Sequence, residues 1–78
     1  MERKMKKAYP SIKQALENGK IKRYFHEKDS YNRMRVLFFI EYKEPIIVGA
    51  PWTIKGEWYE CSEKYWQSTV SWYLLGSL

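Results

Sequence analysis

Cysteine and histidine are almost missing from this 78-residue chain, which has one of each, Cys61 and His26. A lone cysteine excludes an internal disulfide, and small secreted domains generally hold several. It also argues against structural zinc, because such sites draw on several Cys or His ligands. Nothing in the spacing pairs Cys61 with His26 as nucleophile and base. Cys61 therefore reads as a small buried apolar residue and His26 as a loop imidazole. Glycine is scattered as well. Gly19, Gly49, Gly56 and Gly76 are isolated from one another, so no phosphate-cradling loop or dinucleotide fingerprint can be written. Long apolar runs are lacking too: the longest, Val36 to Ile40, falls far short of the roughly 20 residues of a spanning helix. The basic start is followed by Ala8, Tyr9 and Pro10 rather than an apolar stretch, which is unlike a secretory signal. The expectation is a non-enzymatic cytoplasmic protein with no cofactor, no metal and no membrane partner.

What the chain has is aromatic side chains, at 18% of residues, within a hydrophobic share of 45%. That composition argues for a folded core rather than disorder. The length allows one domain, expected over residues 9–78 behind a basic segment 1–8. The charge is unevenly divided. Residues 1–23 hold eight Lys or Arg against Glu2 and Glu17, giving +6, and residues 24–78 hold six against seven acids, giving −1. A basic segment near aromatic rings suits phosphate backbones or nucleotides, with charge steering and rings stacking. The competing reading of Arg3, Lys4, Lys6 and Lys7 is a solvated, frayed tail.

The pattern predicts an α+β fold: a short N-terminal helix, a three- or four-stranded antiparallel sheet, and a C-terminal aromatic-rich helix. Ser11 with Gln14 matches a capping box, Ile12, Ala15 and Leu16 share one face, and Gly19 sits where a helix stops. Lys20 to Phe25 alternates, with Ile21, Arg23 and Phe25 expected on one side and Lys20, Lys22 and Tyr24 on the other. The polar segment His26 to Arg33 reads as a hairpin loop. Met34 to Tyr42 is the best strand, with Met34, Val36, Phe38, Ile40 and Tyr42 on its core face. Leu37 and Phe39 make its other face apolar too, which suggests a central strand partly covered on both sides. Lys43-Glu44-Pro45 reads as a turn, Ile46 to Val48 as a short strand, and Gly49-Ala50-Pro51 as its interruption. Trp52 to Ile54 and Glu57 to Glu60 then suggest a small hairpin, with Gly56 at positive φ.

From Ser62 a helix is predicted, with Ser62 as N-cap, Cys61 stapled against Trp66 and Gly76 past its end. An edge strand over residues 68–75 is the alternative, given Thr69, Val70, Trp72 and Tyr73. Aromatic pairs recur every seven residues at Trp58-Tyr59, Tyr65-Trp66 and Trp72-Tyr73, and at least the last two pairs would share a helix face. Tyr65, Thr69 and Trp72 fall together, with Trp66, Val70 and Tyr73 one step around, so the apolar arc is wider than sheet packing requires. The carboxylates Glu57, Glu60 and Glu63 read as a solvated face at the helix start.

Two kinds of target follow. A nucleic acid or nucleotide would use Lys13, Lys20, Lys22, Arg23, Arg33 and Arg35 for phosphates, with Tyr24 or Trp52 for stacking. A protein partner, or a second copy in a homo-oligomer, would be anchored by Trp66, Val70, Trp72 and Tyr73. In texture, Lys- and Tyr-rich and compact, the chain is similar to many small proteins of phages and other mobile elements that bind and block host components. That likeness favours a stoichiometric inhibitor or accessory factor over a catalyst.

Overall fold

The computed structural model describes residues 8–49 and 52–76. The tail residues Arg3, Lys4, Lys6 and Lys7, the Ala50-Pro51 step, and the side chains of Trp52 and Leu75 lie outside what is described. In chain order the elements are α1 (Ile12–Glu17), β1 (Gly19–Lys28), β2 (Met34–Gly49), β3 (Trp52–Ser62) and a C-terminal helix, α2, over residues 63–76. The strands form one antiparallel sheet in the order β1-β2-β3. The architecture is α+β, with three strands, and residues 68–75 are helical.

Alternation along β2 builds the core. Val36, Phe38, Ile40 and Tyr42 are buried on one face, where Ala15 and Leu16 from α1 and Trp66 and Val70 from α2 close over them together with Tyr59 of β3. Both helices thus lie on the same side of the sheet. A helix of six residues is marginal alone, so α1 depends on this docking. Its cap is as predicted: the Ser11 hydroxyl accepts from the Gln14 N–H at 3.3 Å. The helix stops just before Gly19, as predicted, with Asn18 as its C-cap, and Gly19 also starts β1. A Cβ there would sit 2.5 Å from the Glu41 carbonyl oxygen, so only glycine allows β1 this close to β2.

Three irregularities depart from the predicted pattern. Between Ile21 and Arg23 the β1–β2 register slips by one residue. Such a bulge reverses the alternation beyond it. Ile21, opposite Ile40, faces the helices, whereas Arg23 and Phe25, opposite Phe39 and Leu37, face away. The predicted grouping of Ile21 with Arg23 and Phe25 is therefore corrected. β1 also continues through His26 to Lys28, and the loop shrinks to a turn in which Asp29 Oδ1 accepts from the N–H groups of Tyr31 (2.8 Å) and Arg33 (3.0 Å). Asn32 takes the left-handed conformation there, φ 66°.

The second irregularity lies between Glu41 and Ile46, where β2 and β3 lose register for four residues of β2 and then pair again. Lys43-Glu44-Pro45 is a break within one 16-residue strand rather than a turn between two. Pro45, which cannot donate to a ladder, falls in that break. β3 likewise runs unbroken past Lys55-Gly56, so the predicted small hairpin is absent. Gly56 is needed for space and not for a turn: a Cβ would meet the Ile40 carbonyl oxygen at 2.6 Å and the Phe39 ring at 2.6 Å.

The third irregularity is in α2, which passes from α (Glu63–Tyr65) through a π turn (Trp66–Val70) to α again (Ser71–Gly76). The Ser71 N–H reaches back five residues to the Trp66 carbonyl. One extra residue in the turn sets everything beyond it back by roughly 100°. Trp66 is buried, Tyr65 and Tyr73 pack against the core beside it, and Trp72 is turned out at 64% exposure. Ser62 caps the helix as predicted, accepting from the Tyr65 N–H at 3.1 Å.

Candidate nucleic-acid interface

The register brings four lysines to one end of the sheet. Lys20 of β1 lies opposite Glu41 of β2, Glu41 lies opposite Gly56, and Lys55 precedes Gly56 on β3. Lys22 occupies the bulge, and Lys43 the start of the β2 break. Together with Tyr42, Pro45 and Glu41 these four lysines line an open groove of 410 Å³. Glu41 is the only carboxylate in that lining, held by Lys22 at 3.5 Å with both side chains about half exposed. Four positive charges against one negative leave +3 over the groove. Neither Lys20 nor Lys55 forms an ion pair with a carboxylate among the described residues, so their ammonium groups stay available to an anion. Lys43 is positioned by its backbone, whose N–H donates to the Asn18 carbonyl at 2.8 Å.

A second groove, 560 Å³, adjoins the first and shares Lys20 and Lys43 with it. Its walls include Leu16, Ile21, Tyr73 and the exposed indole of Trp72. Cationic donors and an accessible ring therefore stand side by side, the combination that holds a phosphate chain while a base stacks. Trp72 is there because of the π turn.

The other residues predicted to contact nucleic acid are dispersed. Lys13 is exposed on α1. Arg23 is exposed on the sheet face away from the helices. Tyr24, opposite Phe38, packs its ring 4.9 Å from Trp66 on the helical face. Arg33 and Arg35 are at the far end of β2, Arg35 being roughly 27 Å from Lys43 at the rise of an extended strand. Arg33 reaches Asp29 at 3.4 Å. Arg35 lies between Glu27 (2.7 Å) and Glu60 (3.1 Å), which hold its guanidinium firmly charged, Glu27 more than Glu60. Its Nε is buried without a partner. Of the four proposed protein anchors, Trp66 and Val70 are core residues, Tyr73 is half-buried and Trp72 is exposed.

Sequence reasoning missed Lys43 and Lys55, because their proximity to Lys20 depends on strand register. It flagged the apolar second face of β2 at Leu37 and Phe39 but expected that face to be partly covered and did not foresee Phe25 and Trp58 beside it. There Trp58 sits between Phe25 (5.7 Å between ring centroids) and Phe39 (5.5 Å), beside Leu37. No described element covers these rings, and Phe25 and Trp58 are 48% and 39% exposed.

The three carboxylates Glu57, Glu60 and Glu63 do not form one face. Glu57 joins a network under α1: it accepts from the Tyr42 hydroxyl at 2.6 Å and the Ala8 N–H at 3.1 Å, and the Tyr42 and Tyr59 hydroxyls are 2.5 Å apart. Burial, then the contact with Glu57, pushes the Tyr42 hydroxyl far above its ordinary pKa, so it acts as a neutral donor. Burial raises Tyr59 likewise. Glu60 pairs with Arg35 on the opposite face. Glu63 accepts from Gln67 and lies 2.8 Å from His26 Nδ1, whose hydrogen bond holds the carboxyl below its usual range. The thiol of Cys61 faces the core, where burial raises it to about 11. A thiol so rarely ionised is a poor nucleophile at neutral pH. His26 stands in β1 opposite Val36 and not in a loop, with its ring 5.9 Å from Trp66.

No helix among the described residues is long and apolar enough to cross a membrane. No family model, curated protein or solved structure matches this chain.

Proposed function

We propose that this chain is a non-enzymatic, cytoplasmic binding protein whose target is a nucleic-acid strand. Phosphates are held at Lys20, Lys22, Lys43 and Lys55, and a base stacks on Trp72. The observation that carries this reading is the convergence of four lysines from three strands around one groove, with a single carboxylate among them. Lysines clustered without matching acids repel one another, a cost that a bound polyanion offsets. The neighbouring exposed indole adds a sequence-tolerant contact, since every base presents a π face. Binding of this kind needs no reacting group and suits an inhibitor or accessory factor.

The test is titration of a labelled single-stranded oligonucleotide into the protein, followed by anisotropy. Lys20→Glu with Lys43→Glu is expected to abolish binding. Lys28→Glu with Arg33→Glu, at the opposite end of the sheet and equally a reversal of two charges, is expected to leave it within a factor of about three, since surface charges roughly 27 Å away are screened at physiological salt. Equal losses from both variants would mean a general charge effect and would reject the groove.

A further inference from the structure

The face of the sheet that no described element covers has a composition that a solvated face does not need. An antiparallel sheet with one face in water normally carries polar residues there. Here the two central rows are Phe25, Leu37 and Glu60, then Arg23, Phe39 and Trp58, so four large apolar side chains form a continuous patch. The rows beyond them are charged with opposite balance. One end carries Glu27 and Arg35, and with Glu60 from the adjacent row its sum is −1. The other end carries Lys20 and Glu41, and with Arg23 and with Lys22, which holds Glu41 at 3.5 Å, its sum is +2.

We infer that this face pairs with the same face of a second copy, sheet on sheet, about a two-fold axis perpendicular to the strands. That axis sets the negative end of one copy over the positive end of the other and places the Phe39 and Trp58 row over the Phe25 and Leu37 row. An axis parallel to the strands would instead oppose like ends. The surface is therefore self-complementary in one orientation, as an isologous interface requires. Two sheets stacked this way share a core about 10 Å thick. The footprint is small, about 14 Å across three strands by about 27 Å along four rows. At about 380 Å² per copy this is below the roughly 800 Å² that partners in specific interfaces usually bury, so the association is weak and is expected at high micromolar concentrations and above. Phe39 is preset for the contact, since its ring lies against the Cα of Gly56.

Sedimentation equilibrium without nucleic acid tests the pairing. The wild-type chain is expected to pass from 9.5 kDa towards twice that mass as concentration rises. Phe25→Glu, at a half-exposed position, is expected to remain monomeric with an unchanged circular dichroism spectrum. If that variant unfolds, charge exchange decides independently: Glu27→Lys weakens the dimer, and Glu27→Lys with Lys20→Glu restores it, because the axis sets Glu27 of one copy over Lys20 of the other. A wild-type monomer at millimolar concentration would overturn the inference. So would a dimer indifferent to both changes, or a monomer in which Phe25→Glu lowers oligonucleotide binding instead.

Discussion

The salt dependence of oligonucleotide binding can be worked out from the lysine groove before it is measured. Each phosphate contact made by a lysine to a single strand contributes about −0.7 to the slope of log affinity against log salt. Four contacts, from Lys20, Lys22, Lys43 and Lys55, give a slope of about −2.8. Raising potassium chloride from 50 to 200 mM should then weaken binding about 50-fold. Replacing Lys20 and Lys43 by glutamine removes half of the contacts and should halve the slope, leaving a loss of about 7-fold over the same range. Glutamine is chosen because it keeps hydrogen bonding and much of the stem, so the grooves keep their walls. Trp72→Ala should behave differently. It removes a stacking platform worth about 1–3 kcal/mol, weakening binding by roughly 5- to 150-fold at every salt concentration without altering the slope. Anisotropy of a labelled oligothymidine at four salt concentrations separates the two. An unchanged slope in the double glutamine variant would show that the phosphates lie elsewhere, and a slope change on losing Trp72 would break the division between charge and stacking.

Two further outcomes test the fold beneath the site. Gly56→Ala should lower the melting temperature by about 2–16 °C in a circular dichroism melt. Overpacking costs about 1–3 kcal/mol, reduced by about 0.4–1 kcal/mol from a stiffer unfolded chain. An unchanged melt would mean that the Ile40 carbonyl and Phe39 ring do not crowd this position. Cys61, raised from 9.0 to about 11, has about 100-fold less thiolate at pH 8 than an ordinary thiol, and its greater intrinsic nucleophilicity recovers about 8-fold. Reaction with an aromatic disulfide reagent should therefore be at least about 10-fold slower than in the urea-unfolded chain, and equal rates would contradict its burial. The same shift makes the folded state bind the thiol proton more tightly. Its contribution to stability is present below about pH 9 and is lost as pH rises through 11.

The elements were legible wherever a local signal decided them. Ser11 and Ser62 cap helices because a short hydroxyl before an apolar run satisfies the N–H two or three residues on, and both do. Alternation from Val36 to Tyr42 placed the core face of β2 correctly. The errors arose where a non-local contact overrode a local preference. Gly56 was expected at a turn because glycine favours turns, but its lack of a side chain serves the Phe39 ring. Pro45 suggested a chain reversal, but β2 accommodates it in a stretch without pairing. The lysine groove could not be read in advance, since positions 20, 22, 43 and 55 become neighbours only once three strands are in register. Lys20 and Lys22 were identified from their own segment. Lys43 and Lys55 sit in less basic surroundings and gave no comparable signal.

Three of the four departures from regular structure act on the same part of the molecule; the fourth, a register shift between Ile47 and Gly49, lies further along β2. Had β1 kept strict alternation, Arg23 and Phe25 would point towards the helices and the apolar patch on the open face would lose a member. Had β2 and β3 stayed paired between Glu41 and Ile46, Lys43 would belong to a flat ladder instead of opening the groove beside Tyr42 and Pro45. Had α2 been α-helical throughout, Trp72 would stand about 100° from its present position, away from Lys20 and Lys43. Each irregularity gives up regular backbone pairing that an ordinary sequence would keep. Bulges and π turns that are tolerated despite that loss concentrate at functional sites. Three of them bordering one cationic, aromatic groove is a stronger argument for the groove than any single lysine.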